Sequence, residues 1–337
     1  MTAEGASFQD PSQPIPEPQS SLSKNFYIFI MIGILLIIRT LIHRTRKATE
    51  EKQRKIESFR VPKEGGVLQK LQKDEDGNIS LKLAKKIKIT SDTFIFRFSF
   101  PDPDFTFGLP IGQHVIFSAV MPTKEKPEGE LVQRKYTPTS TIFNNGYVDF
   151  VIKIYRKNVH PRFPEGGLMT QYLETLEPGA IMLMEGPKGR LAYEGFGNFL
   201  ITRKTIRKTR IGMVAGGTGI TPCYQVAQAA LQGDDGTNLS LLFGCRTVDD
   251  LLMKDELDQL QENNKDRFKL TYTVDVKPEG KPWEGNVGFV TKEMISQNLP
   301  APSADTIILF CGPPPFEEMM KKHLKELGYA DDMVFKF

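Results

Sequence analysis

Apolar and polar residues alternate along much of the chain after residue 79. The segments SLKLAKKIKI and TFIFRFSF carry apolar side chains mostly at every second position, and similar stretches recur at 114–120, 137–143 and 148–155. A period of two predicts half-buried β-strands. Gly, Pro and Asn clusters separate these short strands, which favours a small antiparallel barrel. One helix is predicted at 166–176, where apolar residues recur with a helical period.

The pattern changes after about residue 205. Short apolar strands, such as RIGMVA, LSLLFGC and TIILFC, alternate with helical stretches up to the C-terminus. This order predicts a parallel sheet wound in strand–helix units. We therefore predict two folded domains, an antiparallel β-barrel over 79–200 and an α/β domain with a parallel sheet over 205–337.

The N-terminal segment differs from both domains. Residues 1–24 are rich in Ser, Pro, Gln and Glu, and we predict that they form a disordered tail. FYIFIMIGILLII follows without a charge, and its extension from Phe26 to Ile42 gives seventeen residues, the short end of a bilayer-spanning length. We predict a membrane anchor helix over 25–42, with residues 26–42 in the lipid bilayer, and a charged tether over 43–78. A buried helix of a soluble core is the alternative.

A cleaved signal peptide is a second alternative for the apolar segment. It is disfavoured because no basic region precedes the stretch and no small-x-small cleavage site follows it. Basic residues lie almost entirely on its C-terminal side, beginning with Arg39 and Arg44, whereas only Lys24 precedes it. By the positive-inside rule, we expect the two domains to lie in the cytosol.

Composition narrows the classes of function. The net charge of +3 over 337 residues is too small to indicate nucleic acid binding. Cys223, Cys245 and Cys311 are widely spaced, which argues against a disulfide framework and for a reducing compartment. Because the four histidines show no ligand-like spacing with them, we expect no metal or iron–sulfur site.

Two motifs in the barrel region suit a nucleotide ligand. In RKYTPTS (134–140), Arg134 and Tyr136 share one face of a strand, so that the guanidinium can pair with a phosphate while the ring stacks on a flat heterocycle. An ordinary exposed edge strand is the alternative. Gly166 and Gly167 open the predicted helix, where free N–H groups and the helix dipole favour an anion. A plain loop-to-helix cap would explain this pair equally well.

Two further motifs follow strands of the α/β region. Gly216–Gly219 (GGTG) lies directly between an apolar strand and a helix, where a dinucleotide pyrophosphate can sit, although the G-x-G-x-x-G fingerprint is met only in part. A tight turn is the alternative. Cys311, Gly312 and Pro313 follow the last apolar strand and are expected to line the crevice at the carboxyl edge of the sheet. Cys311 is also consistent with a small buried hydrophobe.

Together these motifs resemble a known family. RKYTPTS resembles the RxYTxxS flavin signature of the ferredoxin–NADP reductase superfamily. With GQHV, VIKIY, HPRFPEGGLMTQYL, GPKGRL, GGTGITP, CGPPP and a final aromatic residue in this order and spacing, roughly residues 81–337 resemble its NADH–cytochrome b5 reductase branch. The resemblance implies an oxidoreductase that takes a hydride from NADH onto N5 of FAD. Single electrons would then pass to cytochrome b5 or a similar haem protein.

The resemblance also implies roles for individual residues. FAD would be held by Arg134, Tyr136, Thr137, Ser140, Ile152, Tyr155, Gly166, Gly167, Met169 and Thr170. NADH would be bound by Gly216, Gly217, Thr218, Gly219, Asp250, Cys311, Gly312 and Pro313. Asp250 matches the acidic residue that favours NADH, since a carboxylate pairs with a ribose 2′-OH and repels a 2′-phosphate. The catalytic positions would be Thr137, Thr218, His114 and Lys153, with His114 handling the flavin proton and Lys153 facing NADH.

Several alternatives stay open. Lys135 stands where many such reductases have Pro, and Arg246 lies near Asp250, so the acceptor contacts and the strictness of the NADH preference are not fixed. The acceptor could instead be a quinone or a ferric chelate. A structural subunit of a membrane assembly could also retain this fold, although the intact motifs argue against it. We expect no haem or molybdenum domain of the nitrate reductase kind, and we expect the host membrane to be endoplasmic reticulum or outer mitochondrial.

Overall fold

The computed structural model describes residues 21–59, 66–159, 164–232, 236–277, 279–280 and 282–337, and only the backbone of 21–25, 27 and 52–59. The chain divides into two compact units, Met1–Arg54 and Lys55–Phe337. Residues 1–20 of the predicted tail and residues 160–163 of the HPRF motif lie outside the described residues.

Helix α1 (Ser21–Phe59) is the described element of the N-terminal region. Its large apolar side chains from Phe26 to Ile42 are exposed wherever they are described, and the stretch Ile28–Glu51 is long and apolar enough, by length and composition, to cross a bilayer. The helix continues through charged residues because no Gly or Pro occurs between residues 34 and 61. The predicted anchor and the first part of the predicted tether therefore belong to one continuous helix.

Six antiparallel strands form the barrel sheet in the order β4-β3-β6-β1-β2-β5. The strands are β1 (Ile79–Lys88), β2 (Thr93–Ser99), β3 (His114–Met121), β4 (Glu130–Tyr136), β5 (Tyr147–Lys153) and β6 (Ile181–Lys188). Alternate side chains turn inward, as the period of two predicts. In the core, the Phe117 ring packs edge to face on Phe150 (4.9 Å between centroids) and on Phe98 (5.6 Å).

The two edge strands of this sheet come together just beyond the end of β4. The Thr139 N–H donates to the Asp149 carbonyl (2.9 Å), and the Asp149 N–H donates to the Ser140 hydroxyl (3.1 Å). The prediction of a strand over 137–143 is therefore wrong. The segment is a loop, because Pro138 has no N–H to offer and the Ser140 side chain replaces a backbone ladder partner.

Two short helices cover the barrel. Helix α2 (Val67–Lys70) buries Val67 and Leu68 in the barrel core, and the Gln69 side-chain amide donates to the Gly108 carbonyl (3.0 Å). Helix α3 (Leu168–Thr175) lies between β5 and β6 in the chain and buries Met169 and Leu173 in the same core. The residues just after 65 thus pack with the barrel.

The second domain is a parallel sheet in the order β13-β12-β11-β10-β14-β15. A three-stranded antiparallel sheet precedes it and packs on its core through Leu191, Tyr193 and Phe199. The strands are β7 (Leu191–Tyr193), β8 (Asn198–Ile201), β9 (Lys204–Arg207), β10 (Arg210–Gly216), β11 (Asn238–Cys245), β12 (Phe268–Val274), β13 (Asn286–Val287), β14 (Thr306–Cys311) and β15 (Val334–Lys336). The helices are α4 (Ile220–Gln232), α5 (Lys254–Asn263), α6 (Lys292–Asn298) and α7 (Pro314–Glu326).

The central strand β10 pairs in parallel with β11 on one side and with β14 on the other. Ile211, Met213 and Ala215 face one apolar core, and Val214 faces a second core on the other side of the sheet. Burial on both faces explains the continuous apolar runs in these strands. The predicted fold class, an antiparallel barrel followed by an α/β domain and preceded by a long apolar helix, is confirmed.

Candidate functional site

A cleft of about 490 Å³ opens between the barrel and the α/β domain. Its volume lies within the range of small-molecule sites. The predicted site residues that line this interdomain cleft are His114, Arg134, Tyr136, Thr137, Ile152, Lys153, Tyr155, Gly167, Met169, Thr170, Thr218 and Cys311. The barrel contributes all but the last two, so the cleft is a barrel surface closed by the edge of the second domain.

Strand β4 supplies a cation and an aromatic ring to the cleft. The Arg134 guanidinium donates to the Gln133 carbonyl (2.7 Å) and forms no ion pair within the described part of the chain, which leaves it available for an anion. The Tyr136 ring packs on Phe117 with 4.6 Å between centroids. Burial raises the pKa of Tyr136 well above its usual value, so the phenol stays neutral at physiological pH.

The start of α3 is shaped to accept an anion. Gly166 has a φ of +66°, and a Cβ there would lie 2.3 Å from the Tyr155 carbonyl oxygen, so only glycine fits. No side chain caps the helix at Gly167. The first-turn N–H groups are therefore free to bind a phosphate, and together with Arg134 they fit the diphosphate of a dinucleotide cofactor. Thr170 braces the turn, since its hydroxyl donates to the Gly167 carbonyl and accepts from the Tyr155 N–H.

His114 begins β3 at the wall of the cleft. Burial, followed by the positive charges of Lys135 and Lys188, lowers the pKa of His114 to about 4. The imidazole is therefore neutral at physiological pH and offers one donor and one acceptor nitrogen for hydrogen bonds in the cleft. Lys135, which replaces the Pro that many similar reductases have at this position, also lines the cleft.

Lys153 and Tyr155 reach from the end of β5 to the second domain. The Lys153 ammonium lies 2.6 Å from an Asp250 carboxylate oxygen, and the Tyr155 hydroxyl donates to the Thr218 hydroxyl (3.3 Å). Burial lowers the pKa of Lys153, but the hydrogen bonds and charges of Asp250 and Asp92 outweigh it and raise the pKa overall. Lys153 therefore stays charged.

A second depression of about 410 Å³, the glycine-loop hollow, is lined by Gly216, Gly217, Arg246, Asp275, Phe289, Pro313 and Phe316, among others. Gly217 has a φ of +56° and no atom within 4 Å of where a Cβ would stand. Asp275 directly follows β12, at the carboxyl edge of the sheet where ligands bind. Burial raises the pKa of Asp275, and the charge of Arg246 opposes that shift.

Sequence reasoning missed Asp275. The signal was present, because FKLTYTVD ends in an aspartate at the end of a predicted parallel strand. Asp250, the predicted determinant of coenzyme choice, does not line this hollow. One Asp250 oxygen bonds Lys153, and the other accepts hydrogen bonds from the Thr247 hydroxyl (2.8 Å) and N–H (3.1 Å).

The remaining predicted residues support these walls. The Ser140 hydroxyl accepts a hydrogen bond from the Asp149 N–H, where the two edge strands of the barrel sheet come together. Gly219 packs so closely on the loop after β14 that a Cβ there would lie 2.3 Å from the Cys311 carbonyl oxygen. At Gly312, a Cβ would lie 2.4 Å from the Phe316 ring. Gly219 therefore allows close packing between the loops after β10 and β14, and Gly312 allows the loop after β14 to pack on the start of α7.

Family models match both domains. The model of the oxidoreductase FAD-binding domain matches residues 80–193, and that of the oxidoreductase NAD-binding domain matches residues 213–322. The fold and the two depressions therefore define an oxidoreductase that binds FAD on its barrel and NAD on its α/β domain.

Individual relatives narrow this class. Human NADH-cytochrome b5 reductase 2 is 43% identical over 273 residues, which cover 78% of this chain and 96% of the human protein. Phaseolus vulgaris nitrate reductase [NADH] 2 is 42% identical over 253 residues, 74% of this chain and 28% of the plant protein. The crystal structure of the cytochrome b5 reductase domain of Ulva prolifera nitrate reductase matches with a TM-score of 0.74 and 36% identity, covering 79% of this chain and 98% of that chain.

This chain belongs to the NADH–cytochrome b5 reductase family. Its FAD- and NAD-binding domains fit NADH-dependent flavoprotein reductase activity, so the predicted family, cofactors and enzyme class are confirmed.

Proposed function

We propose that this protein transfers electrons from NADH through FAD to cytochrome b5 or a similar haem protein. The interdomain cleft carries the proposal, because it brings Arg134, Tyr136 and Thr137 of the barrel to the same space as Thr218 and Cys311 of the NAD-binding domain. FAD, when bound, supplies the chemistry, since it accepts electrons as a pair and releases them singly. The names of the relatives support cytochrome b5 as the acceptor.

The side chains of the cleft divide into binding and proton-handling groups in this proposal. Arg134 and the start of α3 would hold the FAD phosphates, and Tyr136 would stack on the flavin ring. His114, neutral at physiological pH, would hydrogen-bond the flavin and pass its proton on without keeping it, and Thr137 lines the same cleft. Lys153 and Thr218, which line the same cleft, would orient NADH toward the flavin.

A carboxylate near the adenosine ribose selects NADH over NADPH in this proposal. Asp250 is the residue that the sequence predicts, but both its oxygens already have partners. Asp275 lines the glycine-loop hollow and is the second candidate. Arg246 in the same hollow would attract the 2′-phosphate of NADPH. The preference for NADH therefore requires a carboxylate whose repulsion of that phosphate exceeds the attraction by Arg246.

We also propose that α1 anchors the enzyme in the endoplasmic reticulum or outer mitochondrial membrane, with the catalytic domains in the cytosol. The exposed apolar stretch of α1 supports the anchor, and the basic residues that follow it support the orientation. The anchor would hold the enzyme on the same membrane as a membrane-bound acceptor.

An anaerobic absorbance titration of the purified protein tests the electron path. A flavin spectrum that bleaches with one equivalent of NADH and recovers on adding oxidised cytochrome b5 is the expected result. Bleaching without recovery would reject cytochrome b5 and direct the search to a quinone or ferric chelate. Folded protein without flavin would overturn the reductase proposal in favour of a structural role.

A further inference from the structure

The Lys153 ammonium lies between two carboxylates from different domains. It is 2.7 Å from Asp92 Oδ2, in the β1–β2 turn of the barrel, and 2.6 Å from Asp250 Oδ1, in the NAD-binding domain. The three side chains are 18%, 30% and 25% exposed, respectively for Lys153, Asp92 and Asp250. Because the group is mostly shielded from solvent, salt screens it less than it screens a surface ion pair.

Each carboxylate is fixed within its own domain. Asp92 Oδ1 accepts hydrogen bonds from the Thr90 hydroxyl (3.0 Å) and the Thr93 hydroxyl (3.1 Å). Asp250 Oδ2 accepts from the Thr247 hydroxyl and N–H. Both aspartates therefore use one oxygen for threonines of their own domain and present the other oxygen to Lys153.

The threonine contacts make the carboxylates rigid anchors for a flexible side chain. Lysine has a four-carbon stem, and its ammonium has three donors. Two of the donors point at Asp92 and Asp250, and Lys153 itself lines the interdomain cleft. One donor is left for a ligand in the cleft, on a side chain that is already ordered.

We propose that Asp92 and Asp250 are positioning residues that hold Lys153 across the two domains and thereby order it for NADH. This inference rests on the proposed function, which makes NADH the ligand that Lys153 meets. Ordering one long side chain in advance lowers the entropy that is lost on binding. The effect therefore falls on NADH affinity, whereas the rate of hydride transfer within the complex changes little.

Asp92→Asn is the first test, because it removes the charge and keeps the shape of a residue that does not itself line the cleft. Anaerobic stopped-flow reduction of the flavin over a range of NADH concentrations separates the Kd from the limiting rate constant. We expect the Kd to rise about three- to tenfold and the limiting rate constant to change less than about twofold. Unchanged or tighter NADH binding would overturn the proposal.

Repeating the substitution in a Lys153→Met background tests whether Asp92 acts through Lys153. The initial slope of rate against NADH concentration suffices here, since it needs no saturation. If the proposal is right, Asp92→Asn changes this slope less than about twofold once the ammonium is gone. An equal effect in both backgrounds would show that Asp92 acts independently of Lys153 and would sink the idea.

Glu326→Gln serves as a matched control. It neutralises the carboxylate of the Glu326–Lys292 ion pair (2.6 Å), which lies outside the interdomain cleft. The flavin content and Tm of every variant are measured to exclude a loss of fold. NADH affinity should change in Asp92→Asn and stay unchanged in Glu326→Gln. If the unaltered protein binds flavin but is not reduced by NADH, the proposed function itself fails, which is a result distinct from failure of this inference.

Discussion

Side-chain functional groups form most of the interdomain cleft, whereas backbone and ring surfaces form most of the glycine-loop hollow. The cleft presents functional groups on side chains, among them Arg134, Tyr136, His114 and Lys153. The hollow is formed largely by backbone and ring surfaces at Gly216, Gly217 and the prolines after β14. Substitution in the cleft should therefore delete a group that binds the cofactor, whereas substitution in the hollow should displace a loop.

The largest effect is expected in the cleft, from Arg134→Ala. The guanidinium has no acidic partner among the residues that the structure describes, so its charge is free for a phosphate. Loss of a hydrogen bond to a charged group costs about 1.5–3 kcal/mol, which predicts about 10- to 100-fold weaker FAD binding. Flavin release followed by fluorescence measures it.

Gln133→Ala is the control for that substitution. Gln133 neighbours Arg134 on β4, and its amide donates to the Ser118 hydroxyl (3.0 Å) on the opposite face of the strand. It should leave FAD affinity within about twofold. Equal losses from the two variants would mean that β4 acts only through its stability.

A smaller effect is expected from Asp275, the one carboxylate among the described residues that line the hollow. Asp275→Ala should lower the ratio of kcat/KM for NADH to that for NADPH about tenfold, because Arg246 would then meet a 2′-phosphate without a competing negative charge. Steady-state kinetics with both coenzymes check it.

The same kinetics are measured for Asp250→Ala. That change should weaken both coenzymes alike, because Asp250 acts on Lys153. If the ratio moves with Asp250→Ala and not with Asp275→Ala, the assignment made from the sequence is right and the hollow plays no part in selection.

The smallest effect is expected from the backbone of the hollow. Gly217→Ala places a Cβ in open space but at a φ of +56°, which costs about 1–2 kcal/mol and should shift the loop. We expect the KM for NADH to rise about fivefold at unchanged FAD content. Gly236→Ala has the same kind of backbone (φ +69°) and open space outside the hollow, so it should lower Tm without changing the KM. A normal KM in Gly217→Ala would show that the loop position does not matter.

The difference between side-chain and backbone contacts also explains which parts of the fold could be predicted from the sequence. Alternation predicted the inward-facing side chains of β1 to β3, since burial on one face leaves a period of two. The prediction of a strand failed at 137–143, where Pro138 lacks an N–H and the Ser140 hydroxyl takes the place of a backbone ladder partner. A side chain that substitutes for backbone leaves no trace in hydrophobic periodicity.

For the site, too, local patterns predicted some residues, whereas contacts between residues distant in sequence were not predicted. Arg134 and Tyr136 could be placed because they lie two residues apart on one strand. The contact of Lys153 with Asp250 joins residues 97 positions apart, and no local pattern encodes which carboxylate a lysine will meet. The long extent of α1 could have been predicted from the sequence, since no Gly or Pro occurs between residues 34 and 61.

Close packing between the GGTG and CGPPP loops restricts how the NADH half of the molecule can be exchanged among relatives. Gly219 lies against the Cys311 carbonyl without room for a methyl group, so the two loops form a single fitted surface although 92 positions separate these residues. In a chimera that draws one loop from each parent, a small change in either backbone would collide with the other. A crossover point placed before β10, which moves both loops together, would keep the fitted pair intact.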